Sequence, residues 1–504
     1  MNYKKTLKPA AAFSASAIIL AMSAACTVGP EFKRPEIRLE PSWYQEERDG
    51  LSSSESDLVA WWEVFGDPTL NGLVEEAHLA NNNLEIAAVR ILESRAQLGI
   101  ATGLRWPQSQ FADAGVDYTS SPESAGSWNS NLGASVAWEI DLWGRYRRGI
   151  ESADAALQAT MASYDDFLVL LTAQVAQTYT TIRLIEEQLA IARENIRIQR
   201  RSYEIVEVLT RHGDKSALDL QQAYTLLLGT EATVPALEAA LRQAKNALST
   251  LLGRQPGDLP GLLDEDGELP PLPEELAVGI PAELLRRRPD VRVAELNAMA
   301  LNAQVGVATA ALYPSFSLTG FLGLASGSGD LFDSDSLTYS AGGSFFWPFL
   351  NYGRIRNNIR VQDARLQQAL IAYRESVLQA AREVEDAMTS YVGSVAQDGI
   401  LAESVTSAQR SNDLSMLRYQ EGFSDYQRVL DAQQSLFVQQ GRYVDNRGAA
   451  VRSVVDLYKA LGGGWEIHGG RYDVSPETRE QMEQRTNWGN YFDPQDDSED
   501  KGGE

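Results

Sequence analysis

The 504-residue sequence has one cysteine, Cys26, and three histidines, His78, His212 and His468. A disulfide framework within one chain is therefore excluded. The histidines lie far apart in sequence. There is no His-Glu-x-x-His, no paired cysteine and no Gly-rich phosphate loop, so no catalytic constellation, metal or cofactor is expected. Positive charge is also scarce: 44 Lys+Arg stand against 69 Asp+Glu, a net charge of -25. A nucleic-acid partner needs a basic surface, so that class is excluded. No stretch after the N-terminus carries 18 apolar residues in a row. A transmembrane helix is not expected, and any membrane crossing falls to β-strands.

What is present starts with a targeting segment. Lys4, Lys5 and Lys8 precede an uncharged apolar run from Ala10 to Ala21, and Ser23-Ala24-Ala25 lead into Cys26. This reads as a secretory signal over residues 1–25. The lone cysteine directly behind small residues points to lipidation at Cys26, with Ser23 standing where such sites usually carry Leu. More than one acyl chain anchors stably, at roughly 0.8 kcal/mol per buried CH2. Thr27 rather than Asp follows, the pattern that usually permits sorting to the outer membrane.

The remainder is a duplication. Trp138-Glu-Ile-Asp-Leu-Trp-Gly-Arg-Tyr-Arg147 resembles Trp347-Pro-Phe-Leu-Asn-Tyr-Gly-Arg-Ile-Arg356 at a spacing of 209 residues. The same spacing pairs Tyr164 with Tyr373, Gly213 with Gly422 and Leu252-Gly253 with Leu461-Gly462, while Ala101-Thr102 and Pro107 match Ala308-Thr309 and Pro314 at 207. Each copy reads as a helix, a β-hairpin and a long helical hairpin. In the first copy these are a helix over Pro68 to Leu104, strands over Gln108 to Tyr118 and Leu132 to Asp141 with a loop over Ser120 to Ser130, and a helix from near Gly149 to Arg211 that returns over Ala217 to Leu252. In the second copy the hairpin spans Ser315 to Phe346. Leu132, Ala134, Val136, Trp138 and Ile140 alternate with small or polar residues, the mark of a strand with one apolar face. Leu168, Leu171, Val175, Ile182, Ile185 and Leu189 keep a heptad seam in a rod of roughly 90 Å at 1.5 Å per residue. The expected divisions are 1–25 signal, 26–66 anchored segment, 67–255 first repeat, 256–280 linker, 281–463 second repeat and 464–504 equatorial segment with an acidic disordered tail.

Strands of about 10 residues suit a tilted bilayer crossing. Trp138, Trp143, Trp347 and Tyr352 sit at one end of the hairpins, as interfacial aromatics do. Four strands cannot close a barrel, and an open edge in lipid leaves backbone groups unpaired. Strands in a membrane therefore require several copies around one shared barrel. The fold class expected is a mixed α and β membrane protein: four barrel strands per chain continued by a long periplasmic helical barrel.

Several motifs carry a family resemblance from Cys26 to about Trp465. They are Cys26-Thr-Val-Gly-Pro-Glu-Phe-Lys-Arg-Pro35, Trp62-Glu-Val-Phe-Gly-Asp-Pro68, Trp138-Glu-Ile-Asp-Leu-Trp-Gly-Arg145, Arg288-Pro-Asp-Val291, Leu430-Asp-Ala-Gln433 and Leu457-Tyr-Lys-Ala-Leu-Gly-Gly463. In these the sequence resembles the TolC/OprM-type outer-membrane efflux proteins. The resemblance implies a homotrimer with a 12-strand barrel, a periplasmic adaptor and an inner-membrane pump of the RND type as partners, and a passive exit duct for drugs or other small toxic molecules. It implies a periplasmic gate at Asp431 and Tyr419, with Gln427 where relatives carry a pore-narrowing Leu and Gln434 where they carry Arg. The hairpin turns at Gly213-Asp214 and Gly422-Phe423-Ser424 become the expected docking points for the adaptor. Two other readings remain open: a structural coiled-coil envelope lipoprotein, and the outer component of a type I secretion system.

Overall fold

The computed structural model describes residues 27–37, 42–44, 51–52, 58–122, 124–257, 259, 261, 263, 267–273, 276–278, 287–327 and 331–492. The signal segment, Cys26, Asp264-Glu265-Asp266 and the acidic tail from Asp493 lie outside the described residues.

The first half opens with a 3-10 turn, Trp61–Phe65, and helix α1, Pro68–Ala80. Asp67 caps α1 by accepting the backbone N–H groups of Thr69 (2.9 Å) and Leu70 (3.2 Å), and Pro68 fills the first helical position, where its missing N–H is harmless. The sequence predicts one helix from Pro68 to Leu104, but the structure breaks it at Asn81. Asn81 is extended, and its side chain accepts the N–H groups of Asn83 and Leu84 to cap α2, Asn82–Gly103. A short amide competing for backbone donors ends one helix and begins the next.

Strands β2 (Ser109–Ser121) and β3 (Ser124–Ile140) follow, then helix α3, Arg145–Arg211. The predicted loop over Ser120 to Ser130 is mostly strand, with pairing running to Ser121↔Ser124. Cross-strand contacts hold this polar extension: the Tyr118 and Trp128 rings lie 5.2 Å apart, and Asn129 donates to Thr119. After Gly213 (φ 85) the chain returns through α4, Ala217–Glu231, and α5, Thr233–Leu251. The return was predicted as one helix. It breaks at Ala232 because Pro235 cannot donate to the carbonyl four residues earlier.

The second half repeats the order with α6 (Pro289–Ala310), β5 (Ser315–Ser326), β6 (Leu337–Phe346), α7 (Arg354–Gln420) and α8 (Tyr426–Ala460). Gly422 (φ 81) makes the equivalent turn, and the return helix is unbroken. A short helix α9, Pro476–Arg485, follows. The four long strands form one antiparallel sheet in the order β2-β3-β5-β6, and β1 (Leu51–Ser52) pairs in parallel with β4 (Leu276–Ala277). The main core lies mid-rod, where Trp61, Phe65 and Leu73 meet Leu168, Val175 and Ile182 of α3, Val384 of α7 and Val454 of α8. A second, smaller core sits at the far end of the long helices: Val206, Ala223, Tyr419, Tyr426 and Val429.

The duplication extends to single bonds. Trp138 Nε1 donates to the Arg105 carbonyl (3.2 Å), and Trp347 Nε1 to that of Leu312 (3.0 Å). Asn81 Nδ2 donates to the Leu251 carbonyl (2.8 Å), and Arg288 to that of Ala460 (2.6 Å).

Candidate functional site

Because side chains alternate along a strand, the registers divide the sheet into two faces. Ala134 lies between Ala112 and Leu322, Val136 between Gln110 and Gly320, and Leu322 opposite Tyr339. This face is almost wholly apolar, yet Val116, Leu322, Phe345 and Tyr339 are exposed, Tyr339 by 80%. The other face is mostly polar, with Asp113, Asp117, Asn129, Asn131, Ser135, Thr319 and Ser344 beside Phe111, Phe321 and Phe346, and Asn131 donates to Asp113 across the hairpin (2.8 Å). An exposed apolar face backed by a mostly polar one is what a strand wall between lipid and a water-filled lumen requires.

At the helix end of the sheet the aromatics are anchored rather than free. Trp143 Nε1 donates to the Pro314 carbonyl (2.8 Å), and its ring stacks on Tyr313 with centroids 4.6 Å apart. Trp138 and Trp347 make the equivalent carbonyl bonds given above, and the Trp347 ring lies 6.1 Å from Phe349. Tyr352 differs: it has a positive φ of 49° and is 97% exposed. The first described residues reach this level too. Val28 donates to the Trp143 carbonyl (3.1 Å) and accepts from Arg148 (3.2 Å), while Asn302 donates to the Pro30 carbonyl (3.0 Å). Gln108, expected as the first residue of a strand, instead lies just before β2 and ties the helix end to the sheet. Its amide donates to the Leu104 and Glu139 carbonyls and accepts the Glu139 N–H (2.7 Å).

At the opposite end, the tips at Gly213-Asp214 and Gly422-Phe423 are exposed, and Ser424 is half-buried. Of the predicted gate residues, Tyr419 is buried within its own chain. Its hydroxyl donates to Asp219 (3.3 Å), its ring lies 5.0 Å from Tyr426, and the Lys215 ammonium stands 4.4 Å above it. Burial, together with the Asp219 carboxylate, raises the Tyr419 hydroxyl well above its ordinary pKa. Tyr426 in turn bonds Ser202 (3.0 Å). Asp431 is exposed and accepts from Gln427 (2.9 Å) one helical turn away. It lines a groove between α7 and α8 with Arg410, Arg418 and Arg428. Tyr419 thus belongs to the small tip core, and Asp431 to a surface groove. Lys215, Asp219 and the three arginines were not singled out from sequence. The eight-residue spacing of Arg410 and Arg418 on one helix face was the available signal.

Between the two ends the core holds buried polar groups. The Arg288 guanidinium bonds Asp290 and Glu383 (both 2.8 Å) besides Ala460. His78 bonds Thr172 (2.7 Å) and faces the His468 ring at 5.3 Å, and burial lowers its pKa to about 4. Among the described residues no group of His, Cys, Asp and Glu side chains is arranged to hold a metal ion, and no helix is long and apolar enough to cross a membrane.

The comparisons agree with this geometry. The profile of the outer membrane efflux protein family matches residues 73–254 and 280–463, one match per repeat. The chain is 31% identical over 461 residues to the cation efflux system protein CusC of Escherichia coli O6:H1, covering 88% of this chain and 96% of that protein. It is 33% identical over 424 residues to the pyoverdine export outer membrane protein OpmQ of Pseudomonas putida, covering 81% of this chain and 88% of the relative. The solved outer-membrane channel OprN superposes with a TM-score of 0.82 at 33% identity, covering 88% of this chain and all of that one. The chain therefore belongs to the outer membrane efflux protein family, a family of transport channels and not of enzymes.

Proposed function

We propose that three copies of this chain close a 12-strand barrel through the outer membrane and continue it as a helical tube into the periplasm. The tube is a passive exit duct, driven by an inner-membrane pump of the RND type and coupled to it by a periplasmic adaptor. One observation carries the reading: among the described residues a four-stranded sheet has two edges without a neighbouring strand, one exposed apolar face and one mostly polar face. In lipid each unpaired backbone group costs several kcal/mol, so the edges demand further strands, and rotational symmetry supplies them from identical copies.

Lipidation at Cys26 fits this arrangement. Val28, two residues on, is bonded at the level of Trp143, where the sheet meets the helices. The cargo is small molecules, and the duct does not select among them. The relatives named above are called cation and pyoverdine proteins, cargoes with little chemistry in common, so selection rests with the pump and adaptor. The adaptor docks at the tips around Gly213-Asp214 and Gly422-Phe423-Ser424. The gate lies at the same end, with Asp431 and Gln427 facing their symmetry mates and Tyr419 bracing the hairpin behind them.

Planar-bilayer recording of the purified protein tests the duct. A small resting conductance is expected, raised severalfold by Asp431→Ala. No channel activity in the parent or in the tip variant would overturn the reading, and an unchanged conductance in the variant would remove Asp431 from the gate.

A further inference from the structure

We infer that strand β6 of one copy pairs with strand β2 of the next in one defined register, with Phe345 opposite Ala114, Gly343 opposite Val116 and Ala341 opposite Tyr118, and that Tyr352 packs on the next copy's Trp106. The inference rests on the assembly proposed above and names its contact surface. It is read from the seam that already exists inside the chain. Strands β3 and β5 belong to different repeats, so their pairing is the joint between repeats. A ring of copies makes the same joint again wherever β6 meets the following β2.

The equivalences come from the observed pairing. Ala134 faces Ala112 in the first hairpin, and Gly343 faces Leu318 in the second. Ala134 and Gly343 correspond at the 209-residue spacing, so Ala112 and Leu318 are equivalent strand positions, 206 apart. The helix ends before the strands correspond at 207, as the paired bonds to Arg105 and Leu312 show. The odd residue is Gln108, which precedes β2, while β5 begins directly after Pro314. Across the internal joint Val136 faces Gly320, Ala134 faces Leu322 and Leu132 faces Leu324. Carried one repeat forward, these become Phe345–Ala114, Gly343–Val116 and Ala341–Tyr118. Each pair joins one large side chain to a small one, and each keeps apolar face beside apolar face. A one-residue slip would turn every apolar side chain of one strand toward the lumen of the other.

The same step explains the exposed aromatics. At the internal joint Trp143 stacks on Tyr313 and bonds the Pro314 carbonyl. Their equivalents at the open ends are Tyr352 on one side and Trp106 with Pro107 on the other. Tyr352 is 97% exposed and Trp106 69% exposed, and among the described residues no aromatic ring stacks on either. A second copy of this chain is the partner that presents the missing half.

Disulfide trapping tests the register in the full-length protein in membranes, with the chain carrying only its native cysteine as the blank. Gly343→Cys combined with Val116→Cys is expected to give covalent dimers and trimers under mild oxidation. Gly343→Cys with Ala112→Cys, four residues out of register, is expected to give none, since a disulfide needs Cα atoms within about 7 Å. Native mass measurement separates the two levels of the claim. A trimer that fails to cross-link through the first pair, or cross-links through the second, overturns the register and leaves the assembly standing. A monomer overturns both. If the cysteine variants do not fold, Tyr352→Ala and Trp106→Ala decide. Each should lower the temperature at which the trimer dissociates while leaving helix content unchanged, and the double variant should lose no more than the larger single loss. Full additivity of the two losses would overturn the contact.

Discussion

The two long helices α3 and α7 are each 67 residues, occupy the same place in their repeats and enter from the same kind of glycine, Gly144 and Gly353, both at positive φ. They are buried very differently. Helix α3 hides side chains from Arg148 to Val206 on nearly every turn, while α7 hides a run from Tyr373 to Ser394 and only a few beyond it. Val361, Ile371, Leu378, Ile400, Leu414 and Leu417 of α7 are exposed. Sequence accounts for part of this, because Ile185, Leu189 and Val206 of α3 correspond to Ser394, Asp398 and Ser415 of α7 at the 209-residue spacing. Position accounts for more: α3 has α1, α2, α6, α8 and the return arm α4-α5 around it, whereas among the described helices α7 packs mainly on α6 and α8, with Tyr44 and Pro273 touching it at Glu385 and Tyr391. One repeat sits inside a wall and the other at its edge. The comparison teaches that α7 is left half-covered by its own chain, which is what the proposed ring of copies would need at the joint between neighbours.

The sharpest break between the repeats is at the cap of the helix that leads into each hairpin. Asn81 and Arg288 stand at equivalent positions and bond equivalent carbonyls, one through a neutral amide and the other through a buried guanidinium that also holds Asp290 and Glu383. Removing one partner of a buried ionic network costs about 3–5 kcal/mol because the other charges stay behind. Asp290 and Glu383 are about a third exposed, so water screens part of this, and Arg288→Ala is expected to destabilise by about 2–3 kcal/mol. Asn81→Ala, losing a helix cap and one amide bond, should cost about 1–2 kcal/mol. Thermal melts followed by circular dichroism compare the two. Equal losses would mean that the repeats are braced alike and that the charge adds nothing.

The next test compares the long helices directly. Val169 of α3 and Leu378 of α7 are equivalent at the 209-residue spacing, yet Val169 is 4% exposed and Leu378 50%. Val169→Ala deletes two buried carbons' worth of apolar contact and should cost about 2 kcal/mol. Leu378→Ala should cost less than about 0.5 kcal/mol in a detergent-dissociated chain. In the assembled protein the second figure measures how far neighbours cover α7. A Leu378 loss that rises to match that of Val169 would show that the ring buries both repeats equally.

Much of this asymmetry could not be read from the sequence, and the reasons are specific. The duplication was legible because Trp138 to Arg147 and Trp347 to Arg356 keep residue type and spacing over a turn that both repeats need. The glycine turns at Gly213 and Gly422 were legible because their backbone lies where L side chains are strained. The break at Asn81 was not, since its capping bonds and its bond to Leu251 compete with an otherwise good helical pattern. The strand extension past Tyr118 was hidden by serines and asparagines whose stability comes from cross-strand partners. The bracing of Tyr419 by Asp219, 200 residues earlier in the chain, leaves no local mark at all.

The smallest expected effect is a dependence on pH, and it too separates the repeats. Asp165 of α3 is buried, and its equivalent in α7 is the exposed Arg374. Burial raises the Asp165 carboxyl to about 7, partly opposed by Arg292. Tyr164 and Tyr472 also face it. In the unfolded chain the same carboxyl titrates near 3.9. Between roughly pH 4 and pH 7 the folded state therefore holds a proton that the unfolded state has released, and stability falls as pH rises through that window. Going from pH 8 to pH 6, one unit below the folded pKa, should stabilise the chain by about 1.4 kcal/mol. His78 and His468, both lowered by burial, pull the other way over this range, so the Asp165 contribution is read as the difference between the melting-temperature shift of the parent and that of Asp165→Asn. The neighbouring Asp166, raised to about 6 by burial and by Asp290, keeps a residual slope in the variant below that pH. An Asp165→Asn protein with the full parental slope would mean that the carboxyl is hydrated in the folded chain, and that α3 is less enclosed at this turn than its neighbours imply.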